Sequence, residues 1–415
     1  MSFPKFFPAV FILAVFLCFA AGCAGQNGPK PEFVLHGEVS PEWFEQMAEL
    51  EKTENWKELK DLAAFVLAHD KLSNKERAWA MYYAGRVCLE EEKGSLCLSY
   101  AREAALGLPR ELRPQLLLAL AEYGFGNSMR GEHIFVSLLK ENPESLDLLL
   151  TLARANERNS HWSGARFWYE KALQAGPEDQ RIRSKLALMF WMEGNAGSAL
   201  AELDKVLEKK PDDAEALNDQ GLINIALGRF KEARVSFDRA ISANPAYADA
   251  RLNRANLYAV QGKPGKALDD LEAGLSSAPS NVKLLIARGQ VLRSQGKYFE
   301  AYSSFETAHV LERRNPYVLN ELAWFLATCS EPALRNGERA LTLAEQSVLY
   351  SKVPEPGAYD TLAAAYAANG RYDDAVLAEN SAIYMAEKAG IGNEILKEWR
   401  ARKSIYERKE SYSER

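Results

Sequence analysis

The chain has 415 residues, a formal net charge of −6, 47% hydrophobic residues and 26% charged residues, a balance ordinary for a folded protein. The acidic excess gives no support for general nucleic-acid binding, and five cysteines over this length are too few for a disulfide scaffold. Length alone would argue for two or three domains. A repeat with a 34-residue period overrides that inference, because an array grows by adding units and has no single central core.

In chain order, Met1–Lys5 is short and weakly positive, and the apolar run Phe6–Ala21 leads into Gly22 and Cys23. This is a signal-peptide layout. It resembles a bacterial lipoprotein signal, with Ala21 and Gly22 preceding the Cys23 that would become the lipidated first residue. Ala20 stands where that family usually has Leu. Cleavage as a plain secretory signal and retention as an uncleaved anchor are the alternatives; the apolar run falls short of the ~20 residues that span a bilayer. Residues 23–39 begin with a Gly-, Pro- and polar-rich stretch, Ala24–Pro31, that reads as a flexible tether. By resemblance to the Gram-negative sorting pattern, Ala24 in place of Asp implies the periplasmic face of the outer membrane; an inner-membrane anchor or secretion is the alternative.

Ser40–Asp70 predicts a first helical hairpin, with Trp43, Trp56, Leu59, Ala63 and Val66 at repeat offsets, and Lys71–Asn74 is an insertion after it. Seven units then follow in register from Ala78, Leu112, Leu146, Gln180, Ala214, Ala248 and Val282. The unit at Ala214 is the clearest. Its first helix, Ala214–Leu227, carries Gly221; Gly228 ends it; its second helix, Lys231–Ala243, carries Ala233, Phe237 and Ala240; Pro245 closes the unit. A ninth, irregular unit has a first helix over Asn320–Cys329, a long link Ser330–Gly337 and a second helix near Glu338–Leu349. A tenth unit carries Ala363, Tyr366, Gly370, Tyr372 and Ala375. A last helix, Asn393–Lys409, reads as a solvated cap with a frayed, charged end.

This pattern resembles the tetratricopeptide-repeat family over nearly all of the chain beyond the signal. The resemblance implies an all-α, right-handed superhelix of about ten helical hairpins. The expected organisation is a signal at 1–22, a tether at 23–39, a solenoid at 40–389 and a capping helix with tail at 390–415. The solenoid units fall near 40–73, 78–111, 112–145, 146–179, 180–213, 214–247, 248–281, 282–315, 316–355 and 356–389. In that family the first helix of each unit lines a concave groove. The matching positions give Trp79, Tyr82, Arg86, Arg113, Tyr123, Arg154, Arg158, Trp191, Asn253, Asn256, Gln290 and Trp324 as candidate binding residues. Aromatic and Arg side chains commonly dominate protein interfaces. The aromatics would also suit a glycan-binding adaptor if they formed a continuous exposed line. The family's carboxylate clamp for chaperone tails is approached only by Asn253 and Asn256, without its Lys and Arg set.

No catalytic constellation emerges: the five His are scattered, none at metal-ligand spacing, and the glycines fall at repeat intervals, outside any phosphate loop. Neither a metal nor a cofactor is expected. Cys88 and Cys97 occupy facing positions of one hairpin and could form a disulfide outside the cytoplasm or remain buried thiols. The expected role is a non-catalytic, lipid-anchored scaffold. Its partners would be envelope proteins or peptide segments in the groove, in an envelope, pilus, secretion or polysaccharide system.

Overall fold

The computed structural model describes residues 40–353 and 355–414; Cys23, the signal and the tether lie outside them. The described residues form two compact units, residues 40–206 and 207–414. The first contains α1 (Pro41–Lys52), α2 (Trp56–Leu67), α3 (Asn74–Glu90), α4 (Gly94–Gly107), α5 (Leu112–Phe125), α6 (Ser128–Glu141), α7 (Leu146–Arg158), α8 (Trp162–Ala175), α9 (Gln180–Met192) and most of α10 (Ala196–Lys209). The second contains α11 (Ala214–Ala226), α12 (Phe230–Ala243), α13 (Ala248–Val260), α14 (Pro264–Ser277), α15 (Val282–Ser294), α16 (Tyr298–Leu311), α17 (Pro316–Thr328), α18 (Gly337–Tyr350), α19 (Pro356–Ala368), α20 (Tyr372–Lys388) and α21 (Asn393–Glu407). Successive helices pair as antiparallel hairpins, α21 closes the series, and no strand occurs among the described residues. The chain is therefore all-α with a tetratricopeptide-repeat fold, as the period predicts.

The hairpins interlock through two positions that recur every 34 residues. On the first helices stand Gly85, Ala119, Ala153, Ala187, Gly221, Ala255 and Gly289. On the second stand Ala101, Phe135, Tyr169, Leu203, Phe237, Leu271 and Phe305, each at most 5% exposed. At two of these crossings a glycine makes room for a Phe ring, while Ala119 and Ala153 stand opposite Phe135 and Tyr169. A Cβ on Gly221 would lie 2.4 Å from the Phe237 ring, and one on Gly289 would lie 2.6 Å from Phe305. Where the large residue is Leu, its partner is Ala. Close packing of this kind fixes how near two helices approach.

Local signals set the helix ends. Asp179, Asp213, Asn281 and Asn315 cap α9, α11, α15 and α17 with side-chain oxygens that accept backbone N–H groups. The insertion before α3 supplies Ser73, whose hydroxyl accepts from Glu76 N at 3.2 Å while the Glu76 carboxylate accepts from Ser73 N at 2.8 Å. Gly228 and Gly296 turn the chain between paired helices at φ 72°, the left-handed region glycine tolerates best. The equivalent turn residues Glu54, Glu92 and Ser160 take φ 55°, 57° and 56° without being glycine. In the ninth unit the first helix begins four residues earlier than expected, with Pro316 in its first turn. Asn336 N then donates to Leu326 O at 3.0 Å, and the Asn336 side chain caps α18 through Arg339 N at 3.0 Å.

Candidate functional site

In the first unit, the predicted groove residues divide into two groups. Tyr82 and Arg86 on α3 converge on Glu51 of α1: Tyr82 Oη donates to Glu51 Oε1 at 2.7 Å and Arg86 Nε donates to the same oxygen at 2.8 Å. Arg86 also lies 5.5 Å over the Trp56 ring. Tyr82 is 4% exposed; burial and then the Glu51 charge push its phenol well above the ordinary range. Trp79 meets Tyr82 edge-on at 5.6 Å, and Tyr123 meets Phe135 edge-on at 6.3 Å. The Tyr82 and Arg86 contacts to Glu51 bind one hairpin to the next, while Trp79 and Tyr123 are half-buried. Trp191 is half-buried on α9.

The second group is exposed. Arg113 on α5 and Arg158 on α7 keep 47% and 46% of their side chains accessible. Arg113 Nη1 is 3.6 Å from Glu51 Oε2, and Arg158 donates to Glu90. Arg154, one turn before Arg158, is exposed and has no ion-pair partner among the described residues. The first helices α5 and α7, which carry these three guanidinium groups, touch.

In the second unit, polar groove residues tie neighbouring first helices together. Asn253 Nδ2 on α13 donates to Asn218 Oδ1 on α11 at 2.8 Å, and Gln290 Nε2 on α15 donates to Tyr317 Oη on α17 at 3.2 Å. Asn256 is half-buried beside them. At the irregular unit the surface is covered by the chain itself. The segment expected to fray turns back after α21 and lies against α17. Trp324 Nε1 donates to Glu414 Oε1 at 2.6 Å, Glu414 N donates to Thr328 O at 2.9 Å, and the Tyr412 ring sits 6.0 Å from Trp324.

The helix α21 is also less solvated than its charge suggests: Trp399 is 4% exposed, Tyr406 0% and Arg402 7%. Arg402 forms a two-pronged pair with Asp360 of α19, at 2.8 and 2.9 Å, and lies 5.2 Å from Trp324 and 5.5 Å from Tyr412. Glu379 of α20, fully buried, faces the same group. Burial first, and the Asp360 charge second, push the Glu379 carboxyl up to about 10. It therefore carries a proton at neutral pH, while Arg402 compensates Asp360. The sequence holds no periodic signal for this cluster; an aromatic Tyr412 inside a charged tail was its one visible trace.

Cys88 and Cys97 are both free and buried, so the disulfide alternative is not formed. Cys97 Sγ donates to Gly85 O at 3.7 Å, and burial pushes its thiol up to about 12, which keeps it protonated. Among the described residues no group of three or more His, Cys, Asp or Glu side chains is placed to hold a metal ion, and no helix is long and apolar enough to cross a membrane. The glycan reading required a continuous exposed aromatic line. Burial of Tyr82 and covering of Trp324 by Tyr412 interrupt it.

A family model described as tetratricopeptide repeat matches residues 116–180, 184–250, 225–281 and 252–318. Among solved structures, a tetratricopeptide repeat protein from Parabacteroides merdae is 17% identical over 61% of this chain and 97% of its own, with a TM-score of 0.47. PilW, a type IV pilus biogenesis factor, is 16% identical over 53% of this chain and 98% of its own, at 0.44. Pseudomonas aeruginosa PilF is 18% identical over 50% and 91%, at 0.41. Similarity at this level carries no argument about fold or function; the repeat fold rests on the paired helices themselves. No curated protein matches the chain.

Proposed function

We propose that this chain is a non-catalytic protein-interaction scaffold, held at a bacterial membrane by a lipid on Cys23, that helps assemble or stabilise a larger envelope complex. The reading places the anchor at the periplasmic face of the outer membrane, with the Gly- and Pro-rich segment as tether. Candidate systems are those that build pili, secrete proteins or assemble envelope polymers. The observation that carries the interaction role is the exposed row Arg113, Arg154 and Arg158 on adjacent first helices. Guanidinium groups there present several N–H donors to carboxylates or main-chain carbonyls of a bound segment. Arg154 carries most of this argument, because its neighbours are partly occupied by Glu51 and Glu90.

Affinity capture from native envelope tests the reading. The unaltered chain should retain at least one envelope protein, and replacing Arg113, Arg154 and Arg158 by Ala together should lose it. Retention unchanged by the triple substitution would remove this surface from the account. Mass spectrometry of the mature N-terminus tests the anchor separately: a diacylglyceryl-modified Cys23 is expected, and an intact Met1 would exclude it.

A further inference from the structure

The segment Ser411–Glu414 has no regular secondary structure and is gripped by groups of three chemical kinds. The first kind recognises charge: the Glu414 carboxylate accepts from Trp324 Nε1 at 2.6 Å and lies 3.5 Å from Arg293 Nε. The second recognises a ring: Tyr412 packs on Trp324 and on the Arg402 guanidinium, which Asp360 holds in place. The third is main-chain. The α17 helix ends at Thr328 without the glycine turn of the regular units, so its last carbonyls need partners. Thr328 O accepts from Glu414 N at 2.9 Å and from Ser413 Oγ at 3.3 Å. The irregular link after α17 contributes Ser330, whose hydroxyl donates to Glu414 O.

We propose that the surface around Trp324 is a recognition site for short segments carrying an aromatic residue two places before a carboxylate. On this proposal, Tyr412-Ser413-Glu414 is its resident ligand, and a partner segment of the same pattern displaces it. The proposal deepens the interaction reading, on which it rests, by naming the chemistry of one partner. This stretch of first-helix surface differs from its neighbours in the second unit: Asn253 and Gln290 bond to residues of adjacent first helices, whereas here the contacts are made to an appended segment.

The grip is built to be exchanged. Glu414 N is the only main-chain N–H of residues 411–414 that is hydrogen-bonded among the described residues. Glu414 also faces Glu321, whose carboxyl burial holds above its usual range and the Glu414 charge raises further. A segment on so short a tether has an effective concentration near ~1 mM, so a free site with a Kd of ~10 μM would be occupied by the tail about 100-fold over empty. An outside peptide would then bind with about 100-fold weaker apparent affinity until the tail is disabled.

The test uses the full chain and a labelled synthetic peptide of residues 408–414, titrated by fluorescence anisotropy. The double substitution Tyr412→Ala with Glu414→Gln should raise peptide affinity by ~10–100-fold, and adding Trp324→Ala should abolish the gain. A second measurement uses the unaltered chain: at millimolar peptide, the Glu414 amide should lose its protection from hydrogen exchange. No gain in affinity in a folded double variant, or a gain that survives Trp324→Ala, overturns the proposal. Should that variant fail to fold, the exchange experiment decides it, and unchanged Glu414 protection overturns it. Loss of an envelope partner on substituting Arg113, Arg154 and Arg158 would leave this result unaffected, so the two readings fail separately.

Discussion

The Gly221–Phe237 crossing offers a sharp test of how the repeat encodes its packing. Substituting Gly221→Ala places a Cβ 2.4 Å from the Phe237 ring, which is 0% exposed and cannot swing into solvent. Carbon atoms rest at ~3.5–4.0 Å, so the ring or the helix must move by about 1 Å. Overpacking of this kind costs ~1–3 kcal/mol, offset by ~1 kcal/mol of improved helix propensity. The expected net loss is ~0–2 kcal/mol. Phe237→Leu alone should cost a similar amount by leaving space unfilled. Combined, the pair becomes the Ala and Leu arrangement already present at Ala187 with Leu203 and at Ala255 with Leu271. In the Phe237→Leu background, Gly221→Ala should therefore stabilise by ~1 kcal/mol, reversing its sign. Urea unfolding followed by circular dichroism, with hydrogen exchange of the α11 and α12 amides, measures this, because arrays open unit by unit. If Gly221→Ala destabilises equally in both backgrounds, the size-compensation argument is wrong.

Three further outcomes are expected. Ser160→Gly should raise stability by ~0.5–1 kcal/mol by relieving its φ of 56°, whereas Gly194→Ala, at φ 79°, should lower it by ~1 kcal/mol; thermal melts read both. Arg254→Ala leaves Asp270, 4% exposed, without the 2.8 Å hydrogen bond from Arg254 Nε, and should cost ~3 kcal/mol by urea unfolding. Glu379 is protonated in the fold up to about 10, against ~4.3 when unfolded, so the folded state holds the extra proton between those values. Its contribution is full below the unfolded pKa and is lost as pH rises toward the folded one. Glu379→Gln should therefore melt higher than the parent at pH 8 and show a flatter decline from pH 5 to pH 9; a parallel decline would contradict the buried proton.

The sequence made the packing legible because packing repeats. Residues 34 apart meet the same neighbours, so small and large positions such as Ala153 and Tyr169 could be read without a structure. Exposure was legible in part: Arg113, Arg154 and Arg158, read from helix positions, are exposed. What periodicity cannot reveal is whether a polar residue already has a partner. Tyr82 and Arg86 stand at groove positions, yet Glu51, from a hairpin with degenerate sequence, takes both. The residues 411–414 lie outside any repeat, in a tail expected to fray; the Trp324, Arg293 and Thr328 contacts, 85 or more positions away, reveal their place. Glu92 and Ser160 show the same limit at the backbone, where the fold imposes a left-handed turn on residues that do not advertise it.

The central claim is that first-helix surfaces engage a protein partner. Site-specific photo-crosslinking in intact cells tests it most directly, with the crosslinker at the position of Arg154 on α7 and, as a control, at exposed Lys140 on the second helix α6. The account predicts a discrete envelope-protein adduct from position 154 and none from position 140. Adducts from 140 alone, equal adducts from both, or none from either would contradict it.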